Sequence, residues 1–324
     1  MYSEQLTLPD IGSRDRVKDQ ARFSARIAAC RSLSFSPARI PGTPLPTTTA
    51  GEDSGCLPEI HASDLNTATI QAALSAKGAL IVRELLPTQM IAPLCAAIDA
   101  VIEACSLSGE AARQQPRSPY FDPPDILSEV MKNAELGRSR AFHRDSGSAM
   151  CAEAPCVAET LLDLYGALGL KELLQDYLGE PPCLSVKKWV LRKTRLPVHE
   201  AGWHQDGAFM GQDIKSLNVW IPLTRCGGAS GAPGMDIVPR RLHDIVGAKD
   251  ALFDWSVNPG QINQQFPDTP PISPLFDAGD ALLFDHLLLH RTQYRPEFER
   301  PRHAIETWFF GCSSAPSNQV PLAW

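Results

Sequence analysis

The sequence predicts a mainly β fold with flanking helices (α+β), and three observations carry that expectation. Ala79 to Val82, Leu217 to Leu223 and Ala281 to Phe284 are short apolar runs of strand length. The run Leu184 to Arg192 is rich in β-formers but interrupted by charge. Two longer stretches hold apolar residues at helical spacing ahead of these later strands. At 324 residues the chain is long for one average domain, yet β-barrel enzymes with supporting helices reach this size as one unit.

Taken in order, residues 1–58 read as an N-terminal extension. Arg14, Arg16, Lys18 and Arg22 mix with acids there, which suits a solvated helix face. Pro41 to Gly51 is a Pro/Thr-rich linker or a surface strap. The sequence leaves open whether the first forty or so residues pack on the body. Residues 59–324 form the main domain. Ala79 to Val82 is a short buried strand. After Pro87, Ile91, Leu94, Ile98, Val101, Ile102 and Cys105 mark one face of a helix. A second helix spans Glu159 to Leu178, with Leu161, Leu164, Leu168, Leu173 and Tyr177 inward and Gly179 as its stop.

Between these helices lies a polar, turn-rich insertion at about 106–150. Such a segment is either a lid or binding loop, with Tyr120, Phe142, His143 and Arg144 as substrate-pocket candidates, or an ordinary surface loop. In the run Leu184 to Arg192, alternation sends Lys187 and Trp189 to one face and Lys188 and Arg192 to the other. An inward lysine here would pair with an anionic ligand; an outward one would guard a strand edge. Lys187 is carried as the substrate candidate, with the choice between Lys187 and Lys188 open.

The chemistry-bearing set begins at Trp203-His204-Gln205-Asp206-Gly207. On an extended strand His204 and Asp206 would share a face, with Gln205 turned away. A second histidine, His290, follows the apolar strand introduced by Gly279-Asp280, and Arg302 lies shortly beyond. Two histidines and one carboxylate with an open opposite face suit non-haem Fe(II). Alone, His-x-Asp is also what a surface strand with two polar side chains would show. Phe209 and Met210 lie close enough in sequence to touch a bound substrate, or belong to the core.

These stretches resemble the phytanoyl-CoA dioxygenase family of Fe(II)/2-oxoglutarate oxygenases. The matching segments are Gly78 to Pro87, Trp203 to Gly207, Leu217 to Thr224, Gly227 to Arg241, Ala278 to His290 and Arg302 to Ile305. The resemblance implies a double-stranded β-helix (a jelly-roll barrel) and iron ligands His204, Asp206 and His290. It assigns Arg302 to the far carboxylate of 2-oxoglutarate, assisted by Thr292, with Trp220 beside the cosubstrate or in the core. Arg300 is a rival to Arg302 if the strand already runs there. The turn Val238-Pro239-Arg240-Arg241 departs from the family's Pro-Gly-Ser-His pattern, and His243 is not taken as a ligand. The retained Asp206 argues against halogenation, where relatives replace this carboxylate. The implied cofactors are Fe(II), 2-oxoglutarate and O2, and the reaction is oxidation, chiefly hydroxylation, of an unactivated C–H bond. No side chain beyond the metal ligands need act as catalyst.

Composition bounds partners. A formal charge of −7 argues against nucleic acid. Nine scattered cysteines with no Cys-x-x-Cys pair suit a reducing cytoplasm. No 18-residue apolar run and no signal pattern at Met1 stand out, so neither membrane nor secretion is expected. The expected partner is a small-molecule substrate, such as an amino-acid derivative or a biosynthetic intermediate; no glycine-rich phosphate loop marks a CoA site. Two other readings are a metal-dependent hydrolase on the same triad and a non-catalytic jelly-roll binding protein. Neither requires a dicarboxylate site.

Overall fold

The computed structural model describes residues 10–32, 55–106, 118–200, 202–247 and 255–324. Helix α1 (Arg16–Ser32) buries Phe23 and Ile27, one turn apart, in the main core. Arg14 bonds Asp19 and Asp163, and Arg26 grips buried Glu159 with two nitrogens. Residues 10–32 are therefore built into the folded body; the Pro/Thr-rich stretch at 41–51 lies outside the described residues.

Strand β1 (Glu59–His61) runs parallel to β2 (Ala79–Arg83), and α2 (Thr67–Lys77) makes the crossover. A capping box between Asn66 and Thr69 starts α2, and left-handed Gly78 ends it. Helix α3 (Ile91–Ser106) buries Leu94, Ile98, Val101 and Cys105 of the stripe read from the sequence, with Ala97 beside them, and leaves Ile91 and Ile102 half-buried. With its preceding turn, Thr88–Ser106 is long and apolar enough to cross a membrane, contrary to expectation. Here its apolar stripe belongs to the core.

The expected irregular insertion is a correction too. Its described part, from residue 118, folds as α4 (Asp125–Val130), α5 (Asn133–Asp145) and β3 (Ser148–Met150). Leu127, Met131 and Leu136 anchor it in the core; apolar anchors this sparse leave little periodic signal. The helix expected over 159–178 is two, α6 (Pro155–Ala167) and α7 (Leu170–Leu178), because Gly169 takes φ 73° between them. Gly179 stops α7 as expected.

The remaining strands complete the large sheet and build a small four-stranded sheet and a two-stranded pair. They are β4 (Pro182–Lys193), β5 (Trp203–His204), β6 (Ser216–Pro222), β7 (Cys226–Gly227), β8 (Met235–Ile237) and β9 (Ser256–Val257). Then come β10 (Leu275–Phe276), β11 (Ala281–Phe284), β12 (His290–Thr292), β13 (His303–Gly311) and β14 (Pro321–Ala323). Two short helices interrupt the series, α8 (Gly207–Met210) and α9 (Pro259–Gln265).

The large sheet has the order β1-β2-β11-β6-β13-β4-β14, with β3 also on β4. The small sheet is β8-β12-β5-β9, and β7 pairs with β10. One face of the large sheet packs on the helices through Leu80, Val82, Leu217, Val219 and Leu283. The other face, with Trp220, Leu282, Phe284 and Trp308, meets Met235 and Ile237 of the small sheet. This is a double-stranded β-helix whose sheets face one another without closing into a barrel.

Candidate metal centre

The register of β12 on β5 sets His290 directly opposite His204. Their ring centroids are 4.5 Å apart. Each Nδ1 sits within hydrogen-bond reach of a carbonyl two residues back, Gly202 O at 3.2 Å and Leu288 O at 3.0 Å. Bonding through Nδ1 frees each Nε2 to coordinate.

Asp206 arrives by another route than the shared strand face expected. Strand β5 ends at His204, and Asp206 has helical angles (φ −62°, ψ −24°) at the N-cap of α8. Gln205 fixes this turn: its Nε2 donates to Leu287 O (2.8 Å) and Asp244 O (3.1 Å), and its Oε1 accepts from Val246 N (2.7 Å). Gly207 N then donates to His286 O at 2.8 Å. A Cβ on Gly207 would stand 3.0 Å from His286 Cδ2 and 3.1 Å from its carbonyl, so the turn needs a bare backbone there. The outcome is the convergence that the spacing suggested. His204, Asp206 and His290 each offer a ligand atom within 4.8 Å of the others. Asp206 Oδ2 lies 3.7 Å from His290 Nε2.

Electrostatics favours the metal-ready protonation states. Burial, aided by repulsion from His290, pushes the His204 imidazole down to about 4. Burial alone would raise the Asp206 carboxyl, but Lys188, His290 and His204 outweigh it and bring it to about 2. At neutral pH His204 is neutral and Asp206 ionised, as a divalent cation requires.

The other sequence candidates divide. Arg302 is buried at 2% exposure, with its guanidinium carbon 5.2 Å from the centre of the Trp220 ring. Its Nη1 donates to Pro233 O and Gly234 O at 3.0 and 2.9 Å. Arg300 is exposed, bonds Ser230 O, and precedes the strand, which begins at His303. Thr292 lies two residues after His290 on β12, on the same side by alternation. Phe209 packs by His204 and Trp255, with centroids 6.5 and 6.1 Å away.

Two candidates are displaced. Lys187 lies on the side of β4 facing away from the centre, where it bonds Glu135 and Asn318 O. Its neighbour Lys188 turns inward, with Nζ 3.1 Å from Asp206 Oδ1 and 4.1 Å above the Phe209 ring. Phe142, at 61% exposure near the end of α5, projects to solvent instead of lining the centre. His143 beside it is buried. Burial, with Arg192 and Lys188 nearby, pushes its imidazole down to about 3.

Some inner-wall residues escaped sequence reasoning. Arg192 and Glu306 form an ion pair within the same charged group as Lys188 and Asp206. Asn218 lies opposite Trp308 in the β6–β13 register, and both are buried. Asn218 Oδ1, Trp308 Nε1 and Arg302 Nε are buried polar atoms with no hydrogen-bond partner among the described residues. Buried polar groups are normally satisfied, so this set on one wall fits a polar ligand. Strand alternation from Trp220 would have exposed Asn218; nothing in the sequence pairs it with Trp308.

The phytanoyl-CoA dioxygenase profile matches residues 74–295. The chain belongs to the phytanoyl-CoA dioxygenase family. Among solved structures, EctD from S. alaskensis, crystallised with 2-oxoglutarate and 5-hydroxyectoine, superposes with a TM-score of 0.52 at 14% identity, covering 85% of this chain and 83% of its own. SnoK, a non-haem α-ketoglutarate-dependent carbocyclase from nogalamycin biosynthesis, gives 0.52 at 13% identity, covering 78% and 87%. Both likenesses establish the shared fold. A comparison with curated protein sequences finds none that matches. Family membership makes the chain an enzyme of the Fe/2-oxoglutarate oxygenase type.

Proposed function

We propose that this protein is a non-haem Fe(II)/2-oxoglutarate-dependent dioxygenase that hydroxylates an unactivated C–H bond of a small-molecule metabolite. The observation that carries the reading is the convergence of His204, Asp206 and His290 within 4.8 Å, with Arg302 buried beside Trp220 at the facing large sheet. His204 and His290 would hold Fe(II) through Nε2, and Asp206 through Oδ2, the oxygen nearer His290. Arg302 would take the far carboxylate of 2-oxoglutarate, with Thr292 assisting and Trp220 beside it. Its planar fork suits a carboxylate, and its Nε has no partner among the described residues.

When bound, Fe(II) and 2-oxoglutarate supply O2 activation, yielding succinate and CO2 and oxidising the substrate. The chain's own residues orient and enclose. Gln205 locks the turn that presents Asp206, Lys188 holds the outer oxygen Oδ1, and Phe209 and Trp255 wall the space beside His204. All nine cysteines are free, which suits a cytoplasmic enzyme.

Anaerobic titration with Fe(II) and 2-oxoglutarate, watched by visible absorbance, tests this. A weak charge-transfer band is expected in the wild type and absent from His204→Ala and Arg302→Ala. Its absence from folded wild-type protein would return the hydrolase and binding-protein readings to consideration.

A further inference from the structure

Among the described residues, the inner wall carries more positive charge than its carboxylates balance. Lys188, Arg192 and Arg302 stand against Asp206 and Glu306. Arg192 is matched by Glu306, its Nε 3.0 Å from Oε2. On the reading above, a divalent metal and a dicarboxylate add equal and opposite charge, and Arg302 takes one end of the dicarboxylate. Asp206 then shares its single charge between the metal at Oδ2 and Lys188 at Oδ1. Among the described residues one cation is left short of an anion, and Lys188 is the one whose protein partner the metal would draw on.

Its location fits a ligand contact. The Lys188 side chain is 23% exposed, unlike buried Arg302, so it is the more accessible of the two cations. It projects over the Phe209 ring, and Phe209 meets Trp255 edge-on, with both rings beside His204. A cation next to an aromatic wall at the metal suits a molecule with an anionic end and an apolar body.

We propose that Lys188 receives a carboxylate of the molecule oxidised, and that Phe209 and Trp255 pack on its apolar part. The substrate class is thus a small organic acid, a deeper statement that rests on the oxygenase reading. A partly buried ammonium whose carboxylate partner is shared with a metal gains from an anionic ligand, so the acid should be preferred over a neutral isostere.

The test uses matched probes: phenylacetate against phenylacetamide, and hexanoate against hexanamide. Each is titrated anaerobically into the full chain saturated with Fe(II) and 2-oxoglutarate, and binding is read by perturbation of the charge-transfer band and by thermal shift. In wild type and Lys188→Arg, at least one acid is expected to bind about tenfold more tightly than its amide. In Lys188→Gln, brought to saturation with Fe(II) and 2-oxoglutarate at whatever concentration it requires, that preference should vanish.

Three results would overturn the proposal. The first is a wild type that binds no acid better than its amide, and the second is a preference that persists in Lys188→Gln. The third is a Lys188→Gln protein that fails to load metal or cosubstrate, which would make Lys188 a positioning residue for Asp206 or a cosubstrate contact. Failure of the underlying oxygenase reading looks different, because the band would then be missing from folded wild type before any probe is added.

Discussion

Replacing Arg302 by methionine separates cosubstrate binding from folding. Methionine keeps a long unbranched stem that can lie against Trp220, but it removes the fork. Two opposing effects act on the free protein. The carbonyls of Pro233 and Gly234 lose their donor, at about 1–3 kcal/mol each if left unsatisfied. Against this, the variant no longer buries a guanidinium that desolvation has already pushed down to about 10. The net change in basal stability should therefore be small, and comparing melting temperatures with and without ligand cancels it.

The ligand effect is larger. Two charge-assisted hydrogen bonds to one carboxylate contribute about 3 kcal/mol or more, so the Kd for 2-oxoglutarate should rise at least about a hundredfold. At a ligand concentration about 100 times the wild-type Kd, binding stabilises wild type by about 2.7 kcal/mol. At roughly 2 °C per kcal/mol for a chain of this size, that is a rise in Tm of about 5 °C. The variant, near its own Kd, would gain about 0.4 kcal/mol and rise by about 1 °C. The assay is anaerobic thermal melting with saturating Mn(II), with and without 2-oxoglutarate. A shift in Arg302→Met equal to that of wild type would show that the far carboxylate binds elsewhere.

Further perturbations probe the rest of the centre. Asp206→Ala should weaken Mn(II) binding by about a hundredfold or more by calorimetry, since it removes the only anionic ligand of the triad; unchanged affinity would remove Asp206 from the metal site. Gly207→Ala forces a methyl to within 3.0 Å of His286 Cδ2, so it should lower Mn(II) affinity about tenfold by moving Asp206. Retention of wild-type affinity there would mean that the turn relaxes without disturbing the ligand. The His143 imidazole is held near 3 by burial, below its ordinary 6.5, so the unfolded chain takes up the extra proton. Stability from this group is complete above pH 6.5 and falls as pH drops from 6.5 toward 3, by about 1.4 kcal/mol per pH unit. Tm measured between pH 7.5 and 5 should fall less steeply in His143→Gln than in wild type, and equal slopes would refute the assignment.

The sequence made legible what depends on local pattern. The α3 stripe, the Gly179 stop and the β6 and β11 strands all follow from periodicity and turn residues. The triad could be named because its residue types are scarce and chemically specific. What stayed hidden depended on tertiary contact or on a local break in pattern. Asp206 converges with His204 through a turn held by Gln205, whose three bonds go to segments around residues 244–246 and 287. Alternation put Lys187 and Lys188 on opposite faces but could not say which face was inner. That depended on α5 supplying Glu135 on one side and α8 bringing Asp206 to the other.

The architecture also explains why metal and cosubstrate sites should respond separately to mutation. His204 and His290 are fixed by the β5–β12 register of the small sheet, and Asp206 by the turn that follows β5. Arg302 immediately precedes β13 of the large sheet and bonds the carbonyls of Pro233 and Gly234, just before β8 of the small one. Removing its head group leaves the β5–β12 pairing and the Gln205 bonds in place. Arg302→Met should therefore bind Mn(II) within about threefold of wild type while losing 2-oxoglutarate. A parallel loss of both would mean that the seam at Pro233–Gly234 sets the β12 register, so that a contact on the large sheet governs the histidine pair on the small one.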